Sequence, residues 1–229
     1  MRLNWSAFQR TKTHNSIEEA ESERTPAKVR RLFIKEVELE NLRGRLRQFS
    51  RLESLEFGWC PRVNYFSEIC VEFSPELRAE ILELERLRSF TVLNTNVLEF
   101  PLWLAPLPKL EYLMVRGTYI QEVPTNIKLF SQLRVLRLGN NDLLSIPVEV
   151  AELRKLEYLE LGDTFISDIP LRILQLPKLR ALSLAGTNFT PEGAAHIKAQ
   201  FPDASVWPAT ATRLPHSHSY FRRESNERL

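Results

Sequence analysis

Two histidines one residue apart, His216 and His218, have the spacing in this chain that most suggests a metal clamp. Imidazoles hold zinc only when further ligands complete a tetrahedron. No third ligand stands near this pair, and the surrounding "TATRLPHSHSYFRRESNERL" is polar and aperiodic, so no metal site is expected. The other histidines are His14 and His196, and the cysteines are Cys60 and Cys70. Arg62 beside Cys60 would favour a thiolate in principle. Neither a Cys–His spacing nor an acidic partner supports a nucleophile, so both cysteines read as buried structural thiols. No GxxxxGK[ST], GxGxxG or G-x-S-x-G motif occurs. The chain is therefore expected to be no enzyme, with no catalytic residues, no metal and no cofactor.

The bulk properties point to the same class. With 229 residues and 43% apolar content, the chain can build a substantial core. Its 31 basic and 29 acidic residues are interspersed, whereas a nucleic-acid binder would segregate a basic stripe. The greasiest run, "EFPLWLAPLPKL", is short and broken by three prolines, so no membrane span is expected. The start "MRLNWSAFQRTKTHN" lacks the apolar core of a secretory signal, and two cysteines are too few for a secreted disulfide scaffold. A reduced, cytoplasmic monomer is the expectation.

A repeat organises the rest. LxxLxL segments open at Leu110, Leu133, Leu156 and Leu179, always 23 residues apart. Leu87 opens "LRSFTV" one unit earlier, and upstream units begin "LESLEF" at Leu52 and "VRRLFI" at Val29. Position nine of the units reads Val37, Cys60, Thr95, Thr118, Asn141, Thr164 and Thr187. Positions fourteen and fifteen read Phe100-Pro101, Val123-Pro124, Ile146-Pro147 and Ile169-Pro170. Positions eighteen and twenty-one read Leu104/Leu107, Ile127/Phe130, Val150/Leu153 and Ile173/Leu176.

The pattern has a direct physical meaning. LxL is a period-two strand, and a unit this small buries its apolar face only by stacking on neighbours. A polar ninth residue suits the turn where the chain leaves the sheet, because its side chain can satisfy main-chain groups that lose their sheet partners. Proline at position fifteen bars a helix from running back through the turn. Pro106 and Pro108 exclude a long helix in "PLWLAPLPKL", leaving short 3₁₀ or irregular turns.

These columns resemble the leucine-rich repeat superfamily, nearest its 23-residue form LxxLxLxxN/TxLxxIPxxIxxLxx, over about residues 29–206. The resemblance implies an α/β-type solenoid: a horseshoe arc with a parallel sheet on its concave face and short convex turns. It also implies a binding module, compatible with a bacterial cytosolic regulator or toxin-neutralising partner.

The step from Leu52 to Leu87 is 35, and the extra residues fall between Cys60 and Leu77. Within this insertion, about 61–76, Ile69, Val71 and Phe73 alternate as in a strand. Ser74 and Pro75 then open a helix. The insertion reads either as a recognition hairpin or as a shield over the apolar end of the array. Residues 1–28 are expected to form a helical N-terminal cap or a partly disordered segment, with Ser16 and Glu19 as a capping box and Trp5, Phe8 and Ile17 packing on the first unit. Residues 188–208 form a C-terminal cap with a helix beginning at Thr190-Pro191 and a last strand near Val206, and 209–229 a flexible tail.

Between the inward leucines, the remaining strand residues face the concave side. There Tyr112, Met114, Arg116, Val135, Arg137, Tyr158 and Glu160 make one block, rich in the Tyr, Met and Arg that interfaces favour. Position two reads Arg30, Glu53, Arg88, Glu111, Arg134, Glu157 and Arg180, an alternation of sign expected to form a structural ladder. The function expected is a non-catalytic scaffold that binds a protein partner on this face. The alternatives are a substrate-recognition subunit of an enzyme system, such as a ubiquitin-ligase-like effector, and a purely structural spacer.

Overall fold

A computed structural model describes residues 12–35, 42–58, 73–95 and 97–206. Expectations for Trp5, Phe8, Val37, Cys60, Cys70, Arg62, Ile69, Val71, His216, His218 and the segment 209–229 lie outside these residues. Among the described residues seven strands form one parallel sheet in chain order. They are β1 (Arg31–Lys35), β2 (Ser54–Gly58), β3 (Ser89–Leu93), β4 (Tyr112–Arg116), β5 (Val135–Arg137), β6 (Tyr158–Glu160) and β7 (Ala181–Ser183). Each residue pairs with the one at the same repeat position in the next coil, for example Leu113 with Leu136 and Leu136 with Leu159. This is the parallel sheet that the resemblance implies.

The spine follows from the alternation. Leu32 and Ile34, Leu55 and Phe57, Phe90 and Val92, Leu113 and Val115, Leu136 and Leu138, Leu159 and Leu161, and Leu182 and Leu184 are all buried. Burying a side chain of this size contributes roughly 1.5–3 kcal/mol. On the convex side, Pro101, Pro124, Pro147 and Pro170 each precede a short 3₁₀ turn: Leu102–Leu104, Thr125–Leu129, Val148–Glu152 and Leu171–Gln175. Leu104, Ile127, Val150 and Ile173 point inward from these turns and close the back of the core.

The ninth column closes the turns. Asn141, buried, donates from Nδ2 to the carbonyls of Val115 (2.7 Å) and Leu138 (2.8 Å) and accepts from the Thr118 main-chain N–H at 2.9 Å. The Thr118 hydroxyl donates to the same Asn141 oxygen. Thr164 and Thr187 hydroxyls instead reach back three residues, to the carbonyls of Leu161 and Leu184. Asn141 and Thr118 thus join two coils, where the Thr187 hydroxyl closes one. The Thr95 hydroxyl is buried without a hydrogen bond among the described residues.

Both edges of the sheet are covered. At the front, Ser16 caps a short helix α1 (Ile17–Glu21), accepting from Glu19 N at 3.1 Å, and Ile17 and Ala20 are buried. The Glu19 carboxylate accepts from Asn15 N, one residue before the position a capping box uses. His14 bridges Leu32 as a one-residue extension of the sheet. At the back, Thr190 caps α3 (Pro191–Gln200), and Ser205 bridges Ser183, one residue before Val206.

At the end of the insertion, Ser74 accepts from Leu77 N and Pro75 opens α2 (Pro75–Leu82). Its buried Glu80 accepts from the main-chain N–H groups of Gly44 and Leu46, tying this helix to the preceding coil. Phe73 packs with Phe57 (5.1 Å between ring centroids), Phe90 (5.8 Å) and Trp103 (5.4 Å). The register across the insertion is kept: Ser54 pairs with Ser89, and Arg88 N donates to Glu53 O at 2.9 Å.

The alternating charges close into ion pairs: Arg30–Glu53 at 3.5 Å, Arg88–Glu111 at 2.7 Å, Arg134–Glu111 at 3.7 Å and Arg134–Glu157 at 2.6 Å. The arginines are about half exposed and the carboxylates more deeply set, and surface pairs contribute about 0.2–1 kcal/mol each. Glu111→Arg removes two pairs and sets three arginines in a row. It is expected to cost about 1–2 kcal/mol and lower Tm by about 2–8 °C. Adding Arg134→Glu leaves Arg88 facing the new guanidinium at position 111 and Glu157 facing another carboxylate, so it restores only part of the loss. Unaltered melting in both variants would remove the ladder's structural role.

Candidate protein-binding surface

Strands β4 to β6 carry the candidate residues in three rows across the sheet. Register places Tyr112, Val135 and Tyr158 in one row and Met114, Arg137 and Glu160 in the next. Past the paired residues, Arg116, Gly139 and Gly162 continue a third. Neighbouring strands stand about 4.8 Å apart, so side chains along the first two rows are within reach of one another. All seven residues expected to form the block are brought together on the concave face.

They are not equally open. Val135 is 2% exposed, Glu160 7% and Met114 8%, so these three of the seven are buried. The cause is relative size: valine sits between two tyrosines, and Met114 and Glu160 flank the longer Arg137. The outer layer is left to Tyr112, Arg116, Arg137 and Tyr158, each partly exposed. Tyr112 leans on Met114, its hydroxyl 4.0 Å from the sulfur.

Arg137 is the hub. Its Nε donates to Glu160 Oε2 at 2.8 Å, and its guanidinium lies 5.9 Å from the Tyr158 ring centroid, within cation–π range. It also shares a hydrogen bond with the Tyr112 hydroxyl. Burial alone would favour the neutral guanidine, but Tyr112 and Glu160 outweigh it and hold the group above the usual arginine value. Burial pushes the phenols of Tyr112 and Tyr158 up, so both stay neutral donors at physiological pH. Further along the face, burial raises the Glu56 carboxyl, with Arg31 opposing.

Three contributors escaped the sequence reading. Gly139 lies under the Glu160 carboxylate: a Cβ there would collide with Glu160 Oε1 and stand 2.8 Å from the Gly162 carbonyl. A Cβ on Gly162 would in turn stand 2.8 Å from the Ala185 carbonyl. Asp163, at position eight, stands 3.7 Å from Arg116 at the rim. Position eight has a signal of its own. Asn94, Gly117, Asn140, Asp163 and Gly186 all adopt positive φ, between 51° and 71°, and Asn, Asp and Gly are the residues that tolerate it. That column was visible at the same 23-residue step.

Of the residues with chemical potential, His14 is buried and engaged, with Nε2 2.9 Å from Glu23 and Nδ1 3.4 Å from the Arg31 carbonyl. Among the described residues no group of three His, Cys, Asp or Glu is placed to hold a metal, and no helix is long and apolar enough to cross a membrane.

Comparison with known proteins gives the same architecture. Residues 131–189 match the family model described as leucine rich repeat. A leucine-rich repeat protein of Leptospira interrogans is 24% identical, covering 71% of this chain and 50% of its own, with a TM-score of 0.52. Two proteins of Listeria monocytogenes share the fold. An internalin (inlF) is 17% identical over 82% of this chain and 56% of its own, TM-score 0.51. Internalin C2 is 19% identical over 70% of this chain and 72% of its own, TM-score 0.51. This chain thus spans about half the length of the first two neighbours. No curated protein matches the sequence.

Proposed function

We propose that this chain, whose residues 131–189 match the leucine rich repeat family model, is a non-catalytic scaffold that binds a protein partner on its concave face. The observation that carries this reading is the hub around Arg137. An arginine fixed by Tyr112, Tyr158 and Glu160 before any partner arrives loses little rotamer freedom on binding, so more of its contact energy appears as affinity. Tyrosine and arginine are the side chains that most often dominate interface energetics. The rows stand on a sheet whose strands are locked to their neighbours, which makes the face a rigid template.

The test is quantitative capture from the native host with wild-type protein beside a Tyr112→Ala/Arg137→Ala/Tyr158→Ala variant. At least one captured protein is expected to bind the variant roughly 100-fold more weakly or worse, corresponding to one or two hot-spot residues. The variant should melt within a few degrees of wild type, since all three side chains lie on the outer layer. Recovery of every captured protein at undiminished affinity would reject the concave face as the docking surface.

A further inference from the structure

We infer that the partner presents an aspartate or glutamate side chain to Arg116 and Arg137, an assignment that rests on the concave-face reading above. The two guanidiniums share a single internal carboxylate. Arg137 takes Glu160 Oε2 at 2.8 Å, while Arg116 stands 3.5 Å from Glu160 Oε1, beyond hydrogen-bonding distance. The other carboxylate paired with Arg116 among the described residues is Asp163, 3.7 Å away at the rim and also outside hydrogen-bonding range. Arg116 Nε is buried, faces Glu160 and makes no hydrogen bond among the described residues, so a partner must approach the terminal Nη groups. A guanidinium carries five N–H donors in a planar fork, and the four on the Arg116 Nη atoms are those a partner can meet.

Accessibility points the same way. The Glu160 side chain is 9% exposed, whereas those of Arg116 and Arg137 are 37% and 33% exposed, with Asp163 at the rim 41% exposed. The anion is sunk in the floor, lying over Gly139, and the cations stand above it. An arriving group that approaches over Arg137, whose guanidinium lies 5.9 Å from the Tyr158 ring centroid, meets the two cations ahead of Glu160, with Asp163 to one side at the rim. A planar carboxylate matches the fork geometry and adds one negative charge. A phosphate dianion would bring twice that charge toward Glu160 and Asp163. Glu160 acts here as a positioning residue: it fixes where both forks point without meeting the partner.

Short random peptides displayed with their C-termini fused, so that only side-chain carboxylates are available, provide the test on the full chain. Binders that weaken on Tyr112→Ala or Tyr158→Ala are expected to share an Asp or Glu. Their affinity should fall about tenfold or more on Arg116→Gln, as for loss of a charge-assisted hydrogen bond. Exchanging that Asp or Glu for Asn or Gln should weaken binding to wild type by a similar factor but add little on the Arg116→Gln background. Tyrosine-dependent binders without an acidic consensus, or with no response to Arg116→Gln, overturn the carboxylate assignment and leave the concave reading standing. Binders indifferent to both tyrosines, or a selection that yields none, overturn both.

Discussion

Replacing Asn141 with alanine is expected to destabilise the array by about 3–5 kcal/mol, read as a shift in the urea midpoint at constant slope. Four hydrogen bonds end on this one side chain, and three of them satisfy main-chain groups of Val115, Thr118 and Leu138 in the interior. Alanine would leave those groups without partners and without water, and each orphaned group costs about 1–3 kcal/mol. Val115 belongs to the preceding coil and Leu138 to Asn141's own, so the loss opens a seam between coils as well as a turn. Thr187→Ala is the matched control, since it forfeits one hydroxyl bond to Leu184 O and should cost about 1 kcal/mol. Asn141→Thr should fall between them, keeping a bond within its coil and losing the bridge. Equal costs for the alanine variants at 141 and 187 would sink the seam.

Gly139→Ala is expected to couple stability to binding. The new methyl meets the Glu160 carboxylate and the Gly162 carbonyl, and the carbonyl belongs to a neighbouring coil that cannot swing aside like a flexible side chain. The cost should be about 1–3 kcal/mol, as for overpacking in a close-packed region. Displacing Glu160 also releases Arg137 from its 2.8 Å contact, so partner affinity should drop even where the protein remains folded. Thermal melting and partner titration on the same samples separate the two effects. Gly193→Ala supplies the comparison: a Cβ there meets Phe189 and Thr190 at ordinary contact distances, and its melting should stay close to wild type. A Gly139→Ala protein that melts and binds like Gly193→Ala would show that the carboxylate and carbonyl relocate freely.

The repeat was legible because stacking is unforgiving. Leu113, Leu136 and Leu159 are register partners on consecutive strands, so any one of them shifted by a residue would turn to the other face. The same requirement made the ninth residues and the prolines recognisable, and the convex 3₁₀ turns follow from proline's missing N–H. Two things were harder to read. Positive φ at position eight leaves no hydrophobic mark, and Asn94, Gly117, Asn140, Asp163 and Gly186 share only a tolerance. Exposure on the concave face depends on which side chains are neighbours across strands and how long each is. Val135 vanishes between two tyrosines, and Glu160 sinks because glycine at 139 gives it room. Strand alternation says which side a residue faces; it does not say how far it reaches.

The position-two charges number seven, and an odd alternating series must begin and end on the same sign, here Arg30 and Arg180. Two molecules stacked end to end in the same screw would therefore press arginine against arginine at the joint. The covers at His14 and Ser205 already occupy the sheet edges where such growth would start. A solenoid is a fibre in miniature, and the parity of this series works against its lengthening by addition of identical copies.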